Sequence, residues 1–339
     1  LCIFTSDRVQ EYIHAAVART YVLHYTGWEK FLGFTLDIDT EARTVTKHCH
    51  PYLLRLREEF LGDVTVIQPK HAQMSDASDM ATEELLPSHH PDAHAQRARH
   101  AEVRRLVMSL NWVAEAYPQI KTAVNAQAAF VASPNPAVGK HARFVLMYLL
   151  AHPESVVFGH KECTSLLNPA NMADKQSFDP DQEGRLNWWH LHYYCDASPV
   201  APSITGLVGM LAGAPIESAA TRQHLVNITA HGSEVSALVT TVNHVTPVRG
   251  LMQELGIPHD EATPVYCDSA TTLLVASDSK SVKKTSWLFR KVYALRQAVV
   301  HEHIQPCKVS EAFNLADIFT KYVRYDKWRR HLHRLLNAT

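Results

Sequence analysis

Apolar residues in the first half of the chain recur mostly at helical spacing. In residues 51–60, Tyr52, Leu53, Leu56 and Phe60 share one face and predict a helix. Three more helical faces are predicted between residues 101 and 151. Their defining positions are Leu106, Leu110 and Val113, then Ile120, Val124 and Ala128, and finally Val138, Ala142, Val145, Leu146 and Leu149.

Shorter elements are predicted before these helices. Residues 1–5 have the pattern of a strand end, and residues 8–20 that of an amphipathic helix. Residues 31–38 are apolar and β-prone, and we expect residues 45–46 to pair with them across the polar turn at 39–43.

Two polar stretches interrupt the apolar pattern. Residues 62–100 are rich in Ser, Asp, Ala and His and contain three prolines, which is typical of a long connection. Residues 161–184 are similar and predict a linker between domains.

After the second stretch the pattern becomes that of strands. Residues 186–195 and 204–211 predict two strands, and a turn at 213–215 leads into a third. A helix over about 233–255, a strand at 264–267, a helix, a strand at 304–309 and a helix follow. This β-β-β-α-β-α-β-α order predicts a mixed α/β domain with flanking helices.

Composition narrows the class of protein. The 339 residues are 46% hydrophobic and 20% charged, with a net charge of −1, which is ordinary for a globular protein. No apolar run reaches the roughly 18 residues of a membrane helix, so we expect no membrane association. Six cysteines without CxxC spacing predict reduced thiols in an intracellular protein. The first residues lack a Met and a charged segment, and we interpret them as an internal piece of a longer protein that is not secreted.

Histidine is unusually frequent, at 22 residues. His48, His50 and the cluster at residues 89–100 leave open a histidine-based zinc protein. Paired cysteines at zinc-site spacing are missing, so we prefer solvated or nucleic-acid-facing histidines.

Four carboxylates occupy positions that this topology would bring together. Asp196 and Asp268 end two predicted strands, Glu234 is expected in the first turn of the long helix, and Asp317 is expected on the last helix but one. Taken singly, each has an ordinary explanation as a cap or turn residue, or as an acidic group at a helix N-terminus. Together they would repel one another unless Mg²⁺ or Mn²⁺ lay between them. A pair of such metals about 3.5–4 Å apart cleaves phosphodiesters.

The sequence resembles the C-terminal part of copia-type LTR retrotransposon polyproteins, which is the end of reverse transcriptase followed by ribonuclease H. The resemblance spans nearly the whole chain in the family's order. The segments that carry it are Trp28-Glu29-Lys30-Phe31-Leu32-Gly33, Ala123-Val124-Asn125-Ala126, Ser203-Ile204-Thr205-Gly206, Gly213-Ala214-Pro215-Ile216, Glu234-Val235-Ser236-Ala237-Leu238, Tyr266-Cys267-Asp268 and Asn314-Leu315-Ala316-Asp317-Ile318-Phe319-Thr320-Lys321.

The resemblance implies a fold, a division into domains and an activity. It implies a ribonuclease H-like mixed five-stranded sheet in residues 186–339, after a linker at 161–185. Residues 1–60 would be the end of the polymerase palm and the start of the thumb, 61–100 a polar connection and 101–160 a helical thumb or connection region. Asp196, Glu234, Asp268 and Asp317 would bind two Mg²⁺ or Mn²⁺ ions and cleave the RNA strand of RNA–DNA hybrids.

Further partners follow from the same resemblance. The N-terminal part would grip a template–primer duplex beside the rest of the polyprotein, in a cytoplasmic particle or the nucleus. The family's Tyr-x-Asp-Asp polymerase motif is absent from this sequence, so we expect no DNA synthesis by this chain.

Departures from the family pattern keep a second function open. Ser198 and Pro199 follow Asp196-Ala197 where the family has Asp-Trp, Ser269 replaces an Asn, and Gly232 replaces a Glu. The alternative is an inactive remnant, domesticated or decaying, that still binds nucleic acid.

Basic residues concentrate near the C-terminus. Thirteen Lys and Arg and four acidic residues lie in 280–339. A solvated helical face is the ordinary explanation, but beside a nuclease site we prefer phosphate binding. The residues expected to bind nucleic acid are Lys283, Lys284, Arg290, Lys321, Lys327, Arg329 and Arg330. The nearby aromatics Trp287, Tyr325 and Trp328 are expected in the core.

Overall fold

The computed structural model describes residues 30–42, 44–74, 78–159, 191–198, 202–211, 213–223, 229–255, 261–277 and 288–337. The predicted strand at 1–5, the predicted helix at 8–20 and the whole predicted linker at 161–185 lie outside these ranges, as do Lys283, Lys284 and Trp287.

The N-terminal part contains a four-stranded antiparallel sheet. Its strands are β1 (Lys30–Phe31), β2 (Phe34–Asp39), β3 (Thr44–His48) and β4 (Val156–Gly159), in that spatial order. The predicted hairpin is confirmed, because Ile38 pairs with Val45. Phe34 stacks on Trp112 at 4.4 Å and so attaches the sheet to the helices.

The described helices of this part are α1 (His50–Phe60), α2 (Ala93–Val113), α3 (Lys121–Ala128) and α4 (Pro136–Ala151), with a 3-10 turn at Pro118–Ile120. The predicted apolar faces are confirmed as buried faces of these helices, with Tyr52 and Ala128 partly buried. Helix α2 begins at Ala93, eight residues before the predicted start, inside the stretch interpreted as a polar connection.

The C-terminal part is built on a mixed five-stranded sheet, as predicted. Its strands β5 (His192–Ala197), β6 (Ile204–Leu211), β7 (Ala214–Arg222), β8 (Thr263–Cys267) and β9 (Ile304–Lys308) lie in the order β7-β6-β5-β8-β9. β5, β6 and β7 are antiparallel, whereas β8 is parallel to both β5 and β9.

Helices flank this sheet. α5 (Ala230–Glu254) follows β7, while α6 (Ala270–Ser277) and α7 (Phe289–Val300) both lie between β8 and β9, where we expected one helix. A 3-10 turn at Leu315–Phe319 and α8 (Tyr325–Leu336) complete the described part. None of the described helices is both long enough and apolar enough to cross a membrane.

The two faces of the five-stranded sheet are buried against different partners. Tyr193, Cys195 and Val265 pack with apolar residues of α5 and α7. Tyr194 and Val208, on the opposite face, belong to a core cluster that extends into the N-terminal helices. Helix α3 is tied to this side because Lys121 Nζ donates to the Ser218 carbonyl at 2.6 Å. The helical region and the sheet therefore share a hydrophobic core.

Candidate metal centre

Asp196 and Asp268 lie at one edge of the sheet because of the register of β5 and β8. Tyr194 pairs with Tyr266 in these parallel strands, so each aspartate comes two residues beyond that pair. Adjacent parallel strands end at the same edge, and side chains two residues apart lie on the same face.

Asp317 is brought to the same edge by the 3-10 turn. Asn314 caps this turn by accepting from the Ala316 N–H, and its amide donates to the Cys195 carbonyl at 3.0 Å. Gly206 of β6 lies beneath the turn, where a Cβ atom would come 2.7 Å from the Ala316 carbonyl oxygen. The turn can pack this closely on the sheet because position 206 has no side chain.

The structure brings all four predicted carboxylates together. Oxygens of Asp196, Asp268 and Asp317 lie within 4.8 Å of one another, and an oxygen of Glu234 lies within 4.8 Å of both Asp268 and the Cys267 thiol. Asp268 therefore belongs to both groups. Glu234 reaches it from the fifth position of α5, so its predicted place in the first helical turn was wrong.

Cys267 is a potential ligand that the sequence analysis did not identify. Its thiol is fully buried at the end of β8 and adjoins Glu234 and Asp268. The signal was its place directly before Asp268 at the end of a buried strand.

Burial and mutual repulsion control the protonation of this cluster. Burial, reinforced by the charge of Asp317, raises the pKa of Asp196 to about 7. Burial and the neighbouring Cys267, Asp196 and Asp268 raise the pKa of Glu234 to about 10. Burial also raises the pKa of Asp268. Burial acts in the same direction on Asp317, but hydrogen bonding to Lys327 and the charge of Lys321 outweigh it and lower its pKa. The cluster without metal therefore holds protons at neutral pH.

Two lysines expected to bind nucleic acid lie among these carboxylates. Lys321 Nζ is 3.1 Å from Asp317 Oδ1 and 3.6 Å from Asp196 Oδ2. Lys327 Nζ pairs with Asp317 Oδ2 and lies 3.8 Å from Glu311. Of the other predicted contacts, Arg290 and Arg329 are exposed and Arg330 is half-buried. Contact of any of these residues with nucleic acid stays a prediction.

The donor set fits hard divalent cations. Four carboxylates supply oxygen ligands, which Mg²⁺ and Mn²⁺ prefer. Glu234 Oε2 is buried without a hydrogen-bond partner among the described residues, which leaves it available to a cation. Thr320 holds Asp196 in place, since its hydroxyl donates to Asp196 Oδ2 at 2.5 Å.

The described histidines give no support to a zinc site. Within the described ranges, no group of three or more potential ligands includes a histidine. His48, His100 and His141 instead bond to single carboxylates, those of Asp37, Glu83 and Asp79.

The aromatic residues near the C-terminus differ in burial. Trp328 is buried, as expected. Tyr325 is 43% exposed, so its predicted place in the core was wrong. It occupies the first position of α8, at the solvent-facing start of that helix.

Comparison with known proteins relates part of the chain to retroelement polyproteins. No protein-family model matches the chain. Over 126 residues, or 37% of the chain, it is 27% identical to the "Retrovirus-related Pol polyprotein from transposon TNT 1-94" of Nicotiana tabacum. The match spans 9% of that polyprotein's length.

The solved structures that the chain matches include the RNase H1 of the halophilic archaeon Halobacterium salinarum NRC-1. It is 17% identical to the aligned residues, and the alignment covers 39% of this chain and 94% of that one. The TM-score is 0.29, which is too low to establish a common fold.

Proposed function

We propose that this chain is part of a copia-type retrotransposon polyprotein, and that residues 186–339 form a ribonuclease H that hydrolyses the RNA strand of RNA–DNA hybrids. The observation that carries the proposal is the convergence of Asp196, Glu234, Asp268 and Asp317 at one edge of a mixed five-stranded sheet. The partial similarity to a Pol polyprotein supports the retrotransposon origin.

The four carboxylates would hold two divalent cations. Asp196, Asp268 and Asp317 would form one set of ligands and Glu234 with Asp268 the other, so that Asp268 is common to both. Bound Mg²⁺ or Mn²⁺ would activate water and stabilise the leaving oxygen. Thr320 fixes the orientation of Asp196, and Lys308 holds the end of β8 by donating to the Asp268 carbonyl at 2.5 Å.

The substrate is a polyanion, which suits the basic C-terminal part. Exposed Arg290 and Arg329 are suited to phosphate contacts, and 2′-hydroxyl groups would distinguish the RNA strand from DNA. The N-terminal region would contribute to gripping a template–primer duplex. Because the sequence has no Tyr-x-Asp-Asp motif, we propose no polymerase activity for the chain. Its setting would be a cytoplasmic particle or the nucleus.

The intact set of four carboxylates favours an active enzyme over a remnant, and two of the departures from the family pattern lie at helix caps. The Thr272 N–H donates to Ser269 Oγ at 3.4 Å at the start of α6, a capping position that serine fills as well as asparagine does. The Gly232 N–H donates to Thr229 Oγ1 at 3.1 Å and contributes to the cap of α5.

The test is cleavage of a hybrid labelled on its RNA strand, in Mg²⁺, in Mn²⁺ and in EDTA. We expect endonucleolytic products with either metal and none in EDTA, with single-stranded RNA and duplex DNA as control substrates left intact. Binding of hybrid without cleavage under all conditions would instead support the inactive remnant.

A further inference from the structure

The ammonium group of Lys321 lies inside the carboxylate cluster. Its Nζ is within 4 Å of carboxylate oxygens on both Asp196 and Asp317. These two residues, together with Asp268, form the group of oxygens that would hold a metal. Lys321 follows Asp317 by one turn, and its backbone N–H donates to the Asp317 carbonyl at 3.3 Å, which directs the residue towards the cluster.

A divalent cation on the same oxygens cannot share this space with an ammonium group. Metal–oxygen bonds are about 2.0–2.1 Å long for Mg²⁺, so the ion would lie close to the present position of Nζ. The like charges would then repel strongly at short range.

We propose that Lys321 is an internal counter-cation, which neutralises the ligand carboxylates of the metal-free protein and must move away when a divalent metal binds. This inference rests on the proposed metal-dependent function. It assigns Lys321 a positioning role: its charge sets metal affinity, and it holds the ligand carboxylates together.

Lys327 does not fill the same role. It pairs with the other oxygen of Asp317 and extends towards Glu311, and its side chain is 22% exposed. Lys321 is 38% exposed, so its four-carbon stem has solvent into which the amine can swing. Among the described residues, the other ionisable groups beside the cluster include Glu234 and Lys308.

Displacement of the Lys321 amine by a metal reconciles its ion pairs with Asp196 and Asp317 with its predicted contact to nucleic acid. In the metal-free protein the amine of Lys321 is held by carboxylates. After displacement it would lie beside the metal site, where the phosphodiester backbone of the substrate has to pass.

The first experiment compares Mn²⁺ binding by the parent and by Lys321→Gln, measured by electron paramagnetic resonance of free Mn²⁺ at pH 8. We expect the variant to bind Mn²⁺ about tenfold more tightly or better, because a positive charge has been removed from the site. In EDTA the variant should melt at a lower temperature than the parent, and added Mn²⁺ should remove the difference. Lys140→Gln, at an exposed position of α4, is the matched control and should behave as the parent does.

The second experiment needs no substitution and remains decisive if Lys321→Gln fails to fold. The parent is acetylated in EDTA and in Mn²⁺, and labelling of Lys321 relative to Lys140 is read by mass spectrometry. We expect Mn²⁺ to increase the labelling of Lys321 several-fold, because the displaced amine is no longer paired with Asp196 and Asp317.

The outcomes separate the two proposals. If the parent binds Mn²⁺ and the labelling of Lys321 is unchanged by the metal, the counter-cation role is overturned and the metal-dependent function stands. Equal Mn²⁺ affinity in the parent and a folded Lys321→Gln variant would have the same meaning. A parent protein that binds no Mn²⁺ overturns both.

Discussion

Replacing Asp268 by asparagine tests the carboxylate cluster most directly. The substitution keeps the shape of the side chain and removes one negative charge from the residue that belongs to both ligand groups. If Asp268 binds both metals, hybrid cleavage should fall by about 100-fold or more, since each metal contributes several kcal/mol to the reaction. Hybrid binding should persist, because the basic side chains are unchanged.

The same substitution should stabilise the protein in the absence of metal. At 4.8 Å, each neighbouring carboxylate charge repels Asp268 by roughly 3 kcal/mol at an effective dielectric constant near 20. Lys321 and Lys308 offset much of this repulsion, and partial protonation of the cluster removes more. We therefore expect a net gain of about 1 kcal/mol, or a rise of about 2 °C in Tm in EDTA at pH 8.

The assay pairs thermal unfolding in EDTA with hybrid cleavage in Mg²⁺. Asp92→Asn is the matched control, because Asp92 is an exposed N-cap residue of α2 whose side chain makes no capping hydrogen bond. If Asp268 were a simple turn residue, both substitutions would leave Tm and cleavage nearly unchanged. Cleavage by Asp268→Asn at the parent rate would refute the four-carboxylate site.

Three further predictions concern pH, support of the site and nucleic-acid binding. Burial raises the pKa values of Asp196 and Glu234, so the folded state holds protons that the unfolded state has already lost. The Tm in EDTA should therefore fall as the pH rises from about 4 to 10, and Glu234→Gln should flatten this dependence. Thr122→Val should destabilise the protein by about 1–3 kcal/mol in denaturant unfolding and weaken Mn²⁺ binding, because the Ile318 carbonyl next to Asp317 loses its hydrogen-bond donor. Unchanged stability and affinity would mean that α3 does not support the site. Replacing Arg290 and Arg329 by Gln should reduce the slope of log K against log salt by about 0.7–0.9 per lost phosphate contact, and an unchanged slope would mean that these side chains do not contact the hybrid.

The gathering of the carboxylates was predictable because each depends on a strong local signal. β5 and β8 are short buried strands, and both were evident from runs of apolar and aromatic residues that end at an aspartate. Parallel pairing then fixes which ends meet. Asp317 was predicted from its sequence motif, because a five-residue 3-10 turn is too short to show a hydrophobic period.

The start of α2 was predicted too late in the sequence, because the buried side chains of its first turns are largely polar. Gln96 and His100 are almost fully buried, and both bond to Glu83 Oε1, at 3.1 Å and 2.6 Å. The buried polar groups of both side chains thus find their hydrogen-bond partner in one carboxylate, which lies 13 and 17 residues earlier in the chain. Hydropathy patterns carry no signal for it, because the side chains are polar and their partner lies outside the helix.

The lysine pairs were missed for a related reason. A run of basic residues near a nuclease site is typical of a phosphate-binding surface, and Lys327 is ten residues from Asp317. The chain reverses between the 3-10 turn and α8, which brings Lys327 back onto the acidic residue. This reversal depends on packing of the buried Trp328 and Leu335 in the shared core and has no local sequence signal.

The shared core makes the helical region part of the support of the site. The turn that carries Asp317 is held by β5 through Asn314 and by α3 through the hydroxyl of Thr122, which donates to the Ile318 carbonyl. Asn337 extends this connection at the end of α8 by donating to the Val157 carbonyl of β4 at 2.9 Å. A displacement of α3 would therefore move Asp317 relative to Asp196 and Asp268, which stay on the sheet. Because metal affinity depends on the separation of these carboxylates, packing more than 100 residues away in the sequence contributes to the chemistry at the edge of the sheet.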